Sequence, residues 1–215
     1  VAPGLIVMSP ELAKHLTDYV EQGGHLVLGP RSGMMNEFNA LNPERQPGPL
    51  VAALGGRVEQ FYALLEDAPV AGKWGNGSAT IWAERLSTKT ADAEVVMRYG
   101  KSNGWLDGEP AAITRKIGRG TITYAGALFD ARLTRAMTAS LLEASGVAPA
   151  PLAVPEGVEV CRRIGGGRTV FIVLNFSNAD QAIALPRAMR DLLAGGETSR
   201  VVLPRYGVAV LSENG

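Results

Sequence analysis

The sequence predicts an α/β domain over residues 1–149 followed by a small antiparallel β-sandwich over residues 150–215. Three observations carry that reading. Residues 5–33 run apolar stretch, amphipathic helix, double glycine, apolar stretch. A series of short β segments then leads to a second helix near residue 130. Past a stretch with three prolines at residues 148–155 (APAPLAVP), the pattern changes to short strands alone.

The first helix opens at Ser9, whose hydroxyl suits the N-cap, with Pro10 at N1 where no amide donor is needed. Leu12, Leu16, Tyr19 and Val20 recur at helical spacing and define one apolar face. Gly23 or Gly24 can end the helix in the left-handed conformation, and His25 to Leu28 resumes as a strand. With residues 5–8 (LIVM) read as a strand, these joints make a βαβ crossover, which places the two strands parallel.

Residues 30–50 are rich in Pro, Gly and Asn and follow neither hydrophobic period, so they read as a long loop. Loops of that length in compact domains usually serve a function or an interface. A short helix at 48–54 and a strand at 57–64 follow, then a turn-rich connection at 66–78. Residues 79–86, 94–99, 111–116 and 121–126 read as strands, the last two joined by an IGRGTI hairpin in which glycine supplies positive φ. Asp130 caps a helix whose apolar positions are Leu133, Met137, Leu141 and Leu142, ended by Gly146. The C-terminal strands are read at 158–163, 169–175, 181–185, 200–203 and 208–211.

Twenty-one basic residues balance twenty-one acidic ones, which argues against a nucleic-acid or anionic-membrane partner. No apolar run approaches the roughly 18–20 residues of a membrane span. The single cysteine fits a reducing compartment, and cytoplasm is the expected location. Val1 starts almost inside an apolar run, the start expected of a fragment of a longer protein.

Catalytic patterns are few. An α/β domain of this kind invites comparison with class I glutamine amidotransferases, which need a nucleophilic cysteine on a strand-to-helix elbow with a histidine nearby. Here Cys161 falls within a predicted strand of the C-terminal module and reads as a structural, half-buried thiol. His15 and His25 are not spaced as metal ligands, and no cofactor or metal is expected. The GPRSG run at 29–33 matches no phosphate-binding pattern and reads as a tight loop. Glu66 and Asp67 are adjacent, so they cannot face each other across a scissile bond. Trp82 lies in an alternating strand and reads as core, whereas Trp74 and Trp105 lie in glycine-rich loops and are candidate sugar contacts.

Residues 1–33, 47–64, 81–86, 98–127, 154–163 and 171–177, taken in order, resemble the C-terminal part of a glycoside hydrolase family 42 β-galactosidase. The resemblance implies a flavodoxin-like or class I glutamine amidotransferase-like trimerisation domain, here lacking its opening strand and helix, followed by a small β domain. It also implies that the acid/base and nucleophile glutamates belong to a (β/α)8 barrel outside this chain, so no residue here inherits them. The expected partners are sister subunits of a trimer and that barrel. A carbohydrate-binding fragment using the loop tryptophans is the alternative. Met34, Met35, Phe38 and Leu41, grouped in the long loop with no period to bury them, are the expected interface residues.

Overall fold

A computed structural model describes residues 1–147 and 152–213. The chain divides into two compact units, Val1–Val147 and Ala148–Gly215. The boundary expected near residue 150 lies outside the described residues.

The first unit begins with α1 (Pro10–Glu21), β1 (His25–Leu28), a 3-10 turn (Gly48–Leu50) and α2 (Val51–Leu54). The strands β2 (Gly56–Ala63), β3 (Ala68–Gly72), β4 (Gly75–Thr88), β5 (Ala93–Tyr99), β6 (Pro110–Ile117), β7 (Gly120–Ala125) and β8 (Ala127–Phe129) follow, and α3 (Ala131–Ala144) closes it. The eight strands form one mixed sheet in the order β1-β7-β6-β5-β3-β4-β2, with β8 paired to β4. Only the β1·β7 pair is parallel among the paired strands; the others are antiparallel.

The caps are those the sequence indicates. The Ser9 hydroxyl accepts from the Leu12 amide at 3.1 Å, and Asp130 Oδ1 accepts from the Leu133 amide at 2.7 Å. Asp130 also takes the Ser78 amide at 2.6 Å, which ties the start of α3 to β4. Helix α2 is only one turn long. Its last carbonyls are satisfied by Arg115, whose guanidinium donates to the Ala52 and Ala53 oxygens at 2.8 and 3.2 Å.

Two apolar clusters share the sheet. Met8, Val20, Leu26, Leu28, Leu50, Leu54, Ile113, Ile122 and Tyr124 bury α1 and α2 against β1, β6 and β7. Val70, Trp74, Ala83, Met97, Tyr99, Leu106 and Leu133 form the second, around β3, β4 and β5.

Three expectations need correction. Residues 5–8 are not a strand of the sheet; Ala2 and Val7 make only isolated parallel bridges, to Leu28 and Met35. Residues 66–78 are not a bare connection, because Ala68 and Val70 alternate inward at 1 % exposure and β3 pairs with both β4 and β5. Small and glycine residues hide that strand from propensity, and tertiary pairing makes it. Tyr19 stands 52 % exposed rather than on the buried face of α1. The sheet as a whole is mixed, with β1 and β7 as its parallel pair.

The second unit is one five-stranded antiparallel sheet, β9 (Val158–Gly165), β10 (Arg168–Asn175), β11 (Gln181–Asp191), β12 (Glu197–Leu203) and β13 (Val208–Ser212), in the order β12-β11-β13-β10-β9. A register shift between Ala184 and Met189 lets β11 pair with β12 and, at its end, with β13. Phe171, Val173, Ile183, Met189, Leu203 and Leu211 fill its own core. Cys161 sits half-buried on β9 opposite Ile172 and is a free thiol.

Candidate functional site

The long loop is more ordered than its composition indicates. It leaves β1 through a turn in which the Ser32 hydroxyl, fully buried, donates to the Gly29 carbonyl at 2.7 Å. Gly33 has φ 67, and a Cβ there would collide with the Pro47 carbonyl, so glycine is required. Beyond it the chain folds into a small hairpin. Met35 pairs with Val7 on one side and Leu41 on the other. The Met8 amide donates to the Met35 carbonyl at 2.9 Å, and the Met35 amide to that of Ile6 at 3.0 Å. Asn36 Oδ1 closes the tip by accepting the Phe38 and Ala40 amides at 3.0 and 3.1 Å. Asn42 Nδ2 donates to the Gly33 carbonyl at 2.9 Å.

The backbone is therefore satisfied within its own unit, while the apolar side chains are not. Phe38 is 82 % and Leu41 67 % exposed, and Val7 is 40 % exposed. Directly paired residues point to the same side, so Val7, Met35 and Leu41 form a cross-strand row. Met34 and Met35 are half-buried, more covered than expected for residues with no period.

Beneath the start of this loop lies a side chain that sequence reading passed over. Glu84 on β4 is fully buried. Its Oε1 accepts the Arg31 amide at 2.9 Å and the Trp82 Nε1–H at 3.1 Å. Its Oε2 accepts the Tyr124 hydroxyl at 2.7 Å. Burial pushes the Glu84 carboxyl above the usual carboxylate range, opposed by these three donors. Burial, then the Glu84 charge, pushes the Tyr124 hydroxyl well up. The nearby Tyr99 hydroxyl donates to the Glu84 carbonyl at 2.9 Å, and burial raises its pKa as well. Arg31, in the left-handed region at φ 66, carries its guanidinium over the Trp82 ring at 5.6 Å, and Phe61 stacks on that ring at 5.2 Å. The signal was present: Glu84 has the strand phase of Trp82 and Leu86, an inward phase for a charged residue.

The tryptophans separate. Trp74 is 8 % exposed, in the turn between β3 and β4, with Phe129 edge-on at 6.2 Å. Its ring is core, which removes it as a surface contact despite its glycine-rich surroundings. Trp82 is half-buried rather than core. Trp105 is exposed. His15 is exposed on α1, and His25 Nδ1 faces the Thr121 hydroxyl at 2.7 Å; among the described residues neither belongs to a metal-holding cluster. No described helix is long and apolar enough to cross a membrane.

This arrangement orders the loop and presents apolar side chains at its surface. Residues 1–148 match the β-galactosidase trimerisation domain and residues 157–213 the β-galactosidase C-terminal domain. The chain belongs to the glycoside hydrolase family 42 β-galactosidases, of which it carries these two non-catalytic domains. It is 32 % identical to β-galactosidase Bga of Halorubrum lacusprofundi, over 98 % of this chain and 33 % of that protein. It is also 32 % identical to β-galactosidase BglY of Alicyclobacillus acidocaldarius, over 98 % of this chain and 32 % of that protein. The solved β-galactosidase from Bacillus circulans sp. alkalophilus superposes with a TM-score of 0.86 at 28 % identity, covering 99 % of this chain and 32 % of that one. The chain thus spans about a third of the length of the relatives it matches.

Proposed function

We propose that this chain is the assembly region of an enzyme that cleaves terminal β-D-galactosides, and that its partners are sister subunits in a trimer and a catalytic barrel. The observation that carries the reading is the row Val7–Met35–Leu41, exposed at Val7 and Leu41 and half-buried at Met35, with exposed Phe38 beside it, on a hairpin whose main chain is already hydrogen-bonded. Such a surface gains from being covered and loses little entropy when it is, because its backbone is already ordered. A specific interface buries on the order of 800 Å² per partner, so the hairpin supplies the anchor of a larger contact. The flavodoxin-like, amidotransferase-like reading of residues 1–149 is supported by the parallel pair of β1 and β7 with α1 packed on it. The cytoplasmic reading rests on the lone, free cysteine.

Catalysis belongs to the barrel in this proposal. Retaining glycosidases need two carboxyl groups roughly 5–5.5 Å apart across the scissile bond. Glu84, the buried carboxylate of the first unit, has both oxygens committed to the three donors around it. Incubation of the pure chain with a nitrophenyl β-galactoside tests this: no release above blank is expected, and steady turnover that copurifies with the chain would refute it.

A further inference from the structure

Trp105 is 65 % exposed, yet its loop is rigidly built. Asp107 Oδ1 accepts the Ser102 and Gly104 amides at 2.8 and 3.1 Å, and Asn103 Oδ1 accepts the Trp105 and Leu106 amides at 3.1 and 3.2 Å. The loop is closed at its base by the Gly108 amide on the Tyr99 carbonyl and the Tyr99 amide on the Glu109 carbonyl, at 3.0 and 2.9 Å. The neighbouring Leu106 is fully buried and pins the tip. The indole is therefore held out to solvent by a preorganised frame, not left there by disorder.

Tyr62 of β2 stands beside it, ring centroids 5.4 Å apart and planes inclined by 37°. The two rings form a ridge between two open hollows. One, about 300 Å³, is flanked by Glu66, Asp67, Ser102 and Asn103; the other, about 410 Å³, by Gln60 and Arg85. Neither Glu66 nor Asp67 takes a hydrogen bond or ion pair from the described residues.

We infer that this ridge is a binding subsite for a neutral pyranoside, with Trp105 as the stacking platform. An aromatic face offers a partner to the apolar C–H face of a sugar ring. The flanking carboxylates, amides and guanidinium accept from and donate to its hydroxyls. Both signs of charge flank the ridge, which disfavours an anion or cation and suits a polyol. The axial 4-hydroxyl of galactose leaves its C3, C4 and C5 hydrogens on one face, an apolar patch that an indole ring can cover. The choice of galactosides also rests on the β-galactosidase parentage proposed above; the stacking geometry does not.

The test is titration of the ¹⁵N-labelled chain with methyl β-D-galactoside and with lactose, following the three indole N–H signals. The Trp105 signal, assigned from its loss in Trp105→Phe, should shift saturably with millimolar affinity. The signals of Trp74, in the core, and Trp82, bonded to Glu84, should stay in place. Trp105→Ala should weaken binding by about tenfold or more, and Asp67→Asn, which leaves the rings untouched, by a smaller factor. Sedimentation should be unchanged in both variants, which separates this inference from the assembly reading. Absence of a saturable shift, or equal shifts at all three indoles, would overturn it. So would a Trp105→Ala variant that binds sugar normally but loses self-association, since the ridge would then be a protein contact.

Discussion

Deleting one oxygen at Tyr124 tests whether the Glu84 network holds the first unit together. Tyr124→Phe keeps the ring in the core and removes the donor to Glu84 Oε2. A buried carboxylate oxygen is then left without that partner. A hydrogen bond to a charged group contributes about 1.5–3 kcal/mol, and a stranded buried acceptor costs a similar amount, so the loss should be about 2–3 kcal/mol. In a Glu84→Gln background the side chain is neutral, and the same change should cost only about 1 kcal/mol. The coupling energy expected from the double-mutant cycle is therefore roughly 1–2 kcal/mol. Urea unfolding followed by tryptophan fluorescence reports on this unit alone, because Trp74, Trp82 and Trp105 all lie in it. The pH dependence adds a sign. The folded state holds the Glu84 proton more tightly than the unfolded chain, so stability due to this group is full below the usual carboxylate value of 4.5 and falls as pH rises through its raised value. Glu84→Gln should flatten that fall. A Tyr124→Phe variant within about 0.5 kcal/mol of the parent in both backgrounds would refute the network's role.

Two further outcomes follow from other groups. Arg57, then Lys89 and Ser87, hold the Glu59 carboxyl at about 2. Its contribution is present above 4.5 and falls away as pH drops through 2, so Glu59→Gln should cost roughly 1–2 kcal/mol at pH 7, allowing for half-exposed partners, and only a small fraction of that at pH 2 by urea titration. Cys161→Ser should change stability by less than about 1 kcal/mol and leave association unaltered, because the thiol is half-buried on a strand at the edge of its sheet, out of phase with core-facing Val158 and Val160.

Much of the fold could be read from local chemistry. Ser9, Pro10 and Asp130 mark helix starts because capping is a local bargain between one side chain and the first amides. The β6–β7 turn was legible for the same reason, with Gly118 at φ 54. What escaped was set by distant partners. Residues 5–8 have the composition of a strand, but the partner they find is the Met35 segment, not the sheet. Ala68 and Val70 become a strand only because β4 and β5 flank them. Trp74 sits among glycines yet is buried by Phe129 from beyond β7, a contact more than fifty residues away in sequence. Glu84 was visible as a charge at an inward phase, but its donors arrive from Arg31 and Tyr124, which no spacing rule connects. The apolar grouping at Met34, Met35, Phe38 and Leu41 was legible from composition; the hairpin that half-covers the methionines was not.

The central claim, that the loop hairpin anchors self-assembly, is tested most directly by sedimentation velocity of the chain and its Phe38→Asp/Leu41→Asp variant over a concentration series. Both substituted side chains are exposed, so the variant should keep its fold by circular dichroism. The parent chain should sediment faster as concentration rises, toward a trimer, and the variant should remain at the monomer value throughout. Coincident curves for the two proteins, whether monomeric or associated, would contradict it.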